Sequence, residues 1–109
     1  MKKLLPLSLL FSLGFAVGGY AADSAAVWTE SCQKCHGANG NGDTKMGKKL
    51  KLGDLTKAEV QAEFTDEAAF KAIKEGIKDE SGKTLMKPIE GLTDEEITAL
   101  VHYVRGLKQ

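Results

Sequence analysis

The residues best able to do chemistry stand together as Cys32, Gln33, Lys34, Cys35 and His36. Two thiols three positions apart at the end of a helix reach the same edge of a bound group. The histidine that follows can offer an imidazole nitrogen to a metal. Cys-x-x-Cys-His is the spacing of c-type haem attachment. In that reading both cysteines would form thioether bonds with the porphyrin vinyl groups, and His36 would give the axial bond to iron.

Other chemistries share part of this pattern. A Cys-x-x-Cys pair serves thioredoxin-like redox sites, half of a zinc site, or a disulfide. Structural zinc wants four ligands. The chain has 2 Cys and 2 His, and His102 lies in a helical stretch of its own. A redox site belongs beside a strand–helix–strand pattern, and none is visible. A disulfide suits an exported chain but leaves His36 without a task.

The iron's sixth position decides what such a centre does. Its candidates are Met46, Met86, His102 or nothing. His102 falls on the polar flank of the last helix. Met46 stands only ten residues beyond His36, too close to reach the opposite haem face easily. Met86 stands fifty residues on, in an extended segment, with ample reach; its plainer reading is a core methionine. A soft thioether favours ferrous iron and raises the potential. A filled sixth site suits one-electron transfer. An open or labile one suits gas binding or sensing. The other ring nitrogen of His36 is expected to donate its N–H to a carbonyl or other acceptor.

Several elements must position these residues. Asp23 or Ser24 caps a helix from about Ala25 that carries Trp28 and ends at the thiols. Gly37 to Asp43 reads as a loop, continuing to Asp54, with Met46, Leu50, Leu52 and Leu55 as apolar points along it. Thr56 with Glu59 reads as a capping box before a short helix to about Glu63. Thr65 caps a helix over Asp66 to Glu75, with Ala69, Phe70 and Ile73 on one face, and Gly76 stops it. A turn at Asp79 to Gly82 leads to extended Thr84 to Ile89. Thr93 with Glu96 opens the last helix, whose apolar face is Ile97, Leu100, Val101, Val104 and Leu107. No strands are expected.

The N-terminus belongs to a different element. Lys2 and Lys3, an apolar run from Leu4 to Val17, and small Gly19 and Ala21 read as a secretory leader over 1–21. An uncleaved anchor is the alternative, although the run is short for a span. Cleavage leaves about 88 of the 109 residues, from 22 to 109, a marginal size for a core without a staple. Removing two of the 15 Lys and Arg leaves 13 against 15 acidic residues. That balance excludes a nucleic-acid binder by bulk charge. Lys45, Lys83 and Lys87 either ring the haem edge and steer an acidic partner, or are solvated surface lysines.

Taken together, Cys32-x-x-Cys35-His36-Gly37, the downstream Met86 and the helix Leu92 to Arg105 resemble small class I cytochromes c of bacteria, of the c6 or c553 kind. Trp28 and Tyr103 match an aromatic pair that packs in that family, and Ser24 stands at its small-residue helix crossing. The chain departs from the family in having no proline after the motif and in placing Lys87 between Met86 and Pro88. The resemblance implies an all-α cytochrome c fold of three to five helices around one haem c with its iron. It implies a soluble periplasmic electron carrier, not an enzyme, that is monomeric and meets redox protein partners. Thioether attachment outside the cytoplasm agrees with a leader. A peroxidase-like enzyme would need an open iron and a distal acid–base residue, and none is apparent. A fixed subunit of a membrane complex would retain the leader.

Overall fold

A computed structural model describes residues 23–109. The leader expected over 1–21 lies outside the described residues. The first helical stretch runs as α1 Ser24–Val27, a π-helical turn Trp28–Cys32, and α2 Gln33–His36. Asp23 caps it, its carboxylate accepting from Ala25 N at 3.1 Å. A π turn inserts one extra residue per turn and is common at functional sites. Here the amide of Gln33 donates to the carbonyl of Trp28, five residues back. Gly37 ends α2 at φ +89°, a conformation that a side chain would strain.

The expected loop from Thr44 to Asp54 is instead partly helical: α3 spans Lys45–Leu50. The Thr44 hydroxyl caps it, accepting from Gly47 N at 2.8 Å. The same hydroxyl donates to the Cys35 carbonyl at 2.6 Å. Gly47 lowers the local helix propensity and hides α3 from a local reading. Its reason is tertiary, since a Cβ there would lie 2.7 Å from the Cys35 carbonyl oxygen.

The short helix α4 is Ala58–Gln61, and its N-cap is Lys57, not Thr56. The expected capping box at Thr56 does not form. The buried Thr56 turns back to Asp54, whose carboxylate accepts from Thr56 N at 2.9 Å and from its hydroxyl at 2.6 Å. Asp competes for such local bonds. Helix α5, Asp66–Glu75, is capped by Thr65 as expected, with Ala68 N donating at 3.0 Å.

Two short strands then appear where none was expected. β1 Ile77–Lys78 pairs antiparallel with β2 Thr84–Met86. Ile77 faces Met86 and Lys78 faces Thr84, so the register slips at a bulge. At this length no alternation can show in sequence. The Asp79 carboxylate organises the turn. It accepts from Ser81 N at 2.9 Å, the Ser81 hydroxyl at 2.7 Å and Lys83 N at 2.9 Å. The Ser81 hydroxyl first, then the Lys83 amide, hold the Asp79 carboxyl below its ordinary range.

The last helix, α6 Asp94–Arg105, carries the full capping box of Thr93 and Glu96. It packs against both α1 and α5. Ile73, Ile97, Leu100 and Val101 form the buried core, joined by Val27, Ala69, Phe70, Met86, Ile89, Leu92 and Tyr103. The helices therefore close around one apolar centre, with the β hairpin laid against it through Met86.

Arg105 locks the end of α6 to the α4–α5 connection. Its guanidinium donates to the Gln61 side-chain oxygen at 2.9 Å, the Phe64 carbonyl at 2.8 Å and Asp66 at 2.8 Å. It also lies 4.4 Å from the Phe64 ring centroid. Gln61 in turn donates to the carbonyls of Leu55 at 2.7 Å and Val104 at 2.9 Å. Removing the guanidinium leaves the oxygens around Gln61 without their donor. Arg105→Ala should therefore cost on the order of 2 kcal/mol, read as a lower denaturation midpoint. Arg105→Lys should recover little, because a single ammonium cannot reproduce the planar fork.

Candidate functional site

The end of the first helical stretch holds Cys32, Cys35 and His36 within one turn. Cys32 is buried and Cys35 half-buried, and both are unpaired thiols. Burial pushes the Cys32 thiol up to about 11, and the neighbouring Cys35 adds to the rise. A redox-active cysteine needs the opposite, a depressed value that yields thiolate. The thioredoxin-like reading therefore loses its chemical basis. The zinc reading fails as well, because no three of the His, Cys, Asp and Glu residues converge among the described residues.

Burial lowers the value of His36, which keeps its imidazole neutral and able to bind a metal. Its Nδ1 is buried without a hydrogen-bond partner, leaving Nε2 as the nitrogen for a ligand bond. The carbonyl acceptor expected for His36 is thus not found among the described residues. The nearby carbonyls serve other donors. Gly37 O accepts the Trp28 indole N–H at 3.0 Å. His36 O accepts from Gly42 N at 2.7 Å. The Trp28 ring centroid lies 5.7 Å from that of His36 and 5.7 Å from that of Tyr103. The expected contact between Trp28 and Tyr103 is therefore present, and it links the motif to α6.

Met86 lies at the end of β2, half-buried, against the core that also holds Tyr103. The close approach of Gly76 to this strand fixes it in place. A Cβ on Gly76 would lie 2.6 Å from the Met86 carbonyl oxygen. Met46 sits on α3 and is 37% exposed. His102 is exposed on α6, lining a shallow groove with Asp66, Glu67, Phe70, Thr98 and Val101. Ile77 and Leu85 beside Met86 are 42% and 40% exposed, unusual for large apolar residues. Two thiols and a neutral imidazole with an orphaned nitrogen form a donor set that fits haem c.

The family model for cytochrome c matches residues 21–108. The chain belongs to the cytochrome c family. It is a small class I c-type cytochrome, a haem-based electron-transfer protein that carries covalently attached haem c with iron. Among solved structures, it is similar to the KustC0563 c-type cytochrome, at 37% identity and a TM-score of 0.68. That match covers 81% of this chain and 100% of the other. A variant of the same protein with tyrosine replaced by phenylalanine matches at 38% identity and a TM-score of 0.65, over 80% and 100% of the two chains. No curated protein matches the cytochrome. Among its described residues, no helix is long and apolar enough to cross a membrane.

Sequence reasoning missed two contributors to this site. Thr44 ties α3 to the Cys35 carbonyl, and Gly47 permits the approach. A Thr followed three residues later by Gly carries no local signal for either role. The π turn was equally hidden, because it changes which amides pair and leaves the motif's spacing untouched.

Proposed function

We propose that this cytochrome is a soluble periplasmic carrier that passes one electron between protein partners through a His/Met-ligated haem c. Cys32 and Cys35 hold the haem by thioethers, His36 is one axial ligand and Met86 the other. The leader over 1–21 is removed and residues 22–109 form the carrier. The observation that carries the ligand assignment is the donor set. His36 has a buried Nδ1 without a partner, and Met86 packs half-buried on the core that Trp28 reaches through Tyr103. The family match begins at residue 21, which supports the leader boundary.

When bound, the haem iron supplies a one-electron couple. The chain's own residues set its terms. Met86 offers a soft sulfur that favours the ferrous state. The hairpin turn built on Asp79 and the Gly76 contact hold the Met86 backbone in place. Together, His36 and Met86 would ligate the iron in both oxidation states, which would leave little to rearrange on electron transfer.

Met86→Ala tests this reading. The variant should lose the methionine–iron charge-transfer band of the ferric protein. Its potential should fall by a substantial part of the roughly 0.8 V that axial ligands span. The reduced variant should gain carbon monoxide binding that the wild type lacks at neutral pH. A wild type that already binds carbon monoxide would support a gas-binding or sensing role with a labile sixth site.

A further inference from the structure

We propose that the Asp79 carboxylate is the latch of the segment that presents Met86. Releasing it opens the iron's sixth position to small neutral nitrogen ligands of the imidazole class. This rests on the reading of Met86 as the sixth ligand given above. Asp79 stands seven positions before Met86. It is a positioning residue, acting on that ligand through the backbone of the hairpin.

The two sides of Met86 are held in different ways. On the side towards α6, Ile89 N donates to the Ile73 carbonyl at 2.9 Å and ties the chain to α5. Pro88 fits against Gly76, where an added Cβ would lie 2.9 Å from its ring. On the other side the chain leaves the core and enters the hairpin. β1 has 2 residues and β2 has 3, and a two-stranded hairpin is marginal in water by itself. Apolar packing adds little to it. Every residue from Glu80 to Leu85 is exposed, and Ile77 on the facing strand is 42% exposed.

Asp79 supplies what packing does not. Its carboxylate receives three donors from across the turn, the Ser81 amide, the Ser81 hydroxyl and the Lys83 amide. Its own amide donates to the Lys83 carbonyl at 2.9 Å, and its carbonyl accepts from Gly82 N at 3.0 Å. A short carboxylate at the first position of a turn is suited to this, because it reaches the amides that follow. Its bonds are also stronger than those of a neutral acceptor. Without the carboxylate the turn keeps only its backbone bonds. The hairpin then opens by local unfolding while the core of α5 and α6 stays closed. Met86 ends the strand that opens, so its hold on the core loosens with it.

The test is imidazole binding to the ferric, haem-loaded cytochrome, followed by loss of the methionine–iron charge-transfer band. Imidazole must displace Met86, so its apparent affinity scales with the population of the opened segment. Asp79→Ala should raise that affinity about tenfold. Asp79→Asn keeps an oxygen acceptor for the same donors and should restore most of the wild-type resistance. Arg105→Ala, which weakens the far end of α6, should lower the denaturation midpoint and leave imidazole affinity as in the wild type. Equal imidazole affinity in Asp79→Ala and the wild type would overturn the inference. An Arg105→Ala variant that binds imidazole as tightly as Asp79→Ala would overturn it too, since general loosening would then account for both.

A measurement on the wild type decides the matter should Asp79→Ala not load haem. Amide hydrogen exchange at Asp79 and Lys83 should quicken when imidazole saturates the ferric protein, while the amides of Leu100 and Val101 stay protected. Unchanged exchange at the two turn amides in the imidazole complex overturns the inference. Each of these failures, in a wild type that shows the charge-transfer band, leaves Met86 in place as the ligand. A wild type without that band from the outset overturns the ligand reading itself, and the latch with it.

Discussion

The double variant Cys32→Ala, Cys35→Ala should retain no haem after denaturation, where the wild type retains all of it. The measurement is the mass of the denatured chain, together with haem staining on a denaturing gel. Each single variant should keep one thioether and so hold its haem through denaturation, with a shifted absorption band in pyridine for the remaining unsaturated vinyl group. Cys32 and Cys35 are the chain's 2 cysteines, so no other thiol can substitute. The effect reaches the fold as well. The described residues, 23–109, form a domain near the lower limit for a self-sufficient core. Without the haem, Ile77, Leu85 and Met46, already 42%, 40% and 37% exposed, gain no cover. The double variant should therefore also show a much lower thermal midpoint and readier proteolysis. A double variant that kept haem through denaturation would contradict the attachment assigned to these thiols.

Gly47→Ala should be the most damaging alanine substitution among the glycines of the described chain. Helix propensity alone favours the change by about 1 kcal/mol, since Gly47 lies inside α3. The clash opposes it and wins. The added Cβ would lie 2.7 Å from the Cys35 carbonyl oxygen and closer still to the Gly42 carbonyl oxygen. Both are backbone atoms and cannot rotate aside. Overpacking of this kind costs roughly 3 kcal/mol or more. Moving α3 away would also pull Thr44 off the Cys35 carbonyl, at the haem-bearing turn itself. Chemical denaturation of the haem-loaded variant checks the figure, and a lower yield of haem-loaded protein should accompany it. Gly106→Ala provides the contrast. Its Cβ would meet its nearest atoms, the carbonyl oxygens of Tyr103 and His102, at 3.4 and 3.5 Å. That change should be close to neutral.

These expectations also mark which parts of the fold a sequence can disclose. The caps of α5 and α6 were legible because Thr65, Thr93 and Glu96 bond within three residues of themselves. Their apolar faces were legible because the helical period repeats along them. The pairing of Trp28 with Tyr103 was legible only through family likeness, since it spans most of the chain. Other features were set by distant partners and left no local trace. Helix α3 exists despite Gly47 because that glycine lets it lie against Cys35 and Gly42. Arg105 carried no local signal of its role, since its partner Gln61 lies 44 residues away. Thr56 carried a capping signal that Asp54 diverted. The β hairpin was too short to alternate.

The site divides in the same way. Cys32, Cys35 and His36 follow from a contiguous motif, whose chemistry is written in five residues. Met86 was chosen by reach and by exclusion, across fifty residues, and so bears the greater weight in the account. The missing acceptor for His36 was not legible at all. An acceptor was a reasonable expectation for a metal-binding histidine, but the described residues place none on its Nδ1.

The measurement that tests the central claim most directly is the visible and near-infrared spectrum of the purified wild-type cytochrome at neutral pH, ferric and then ferrous under carbon monoxide. A closed His36/Met86 centre predicts a methionine–iron charge-transfer band in the ferric protein and no change of the ferrous spectrum on adding carbon monoxide. A ferric spectrum without that band, together with a ferrous carbon monoxide adduct, would contradict it.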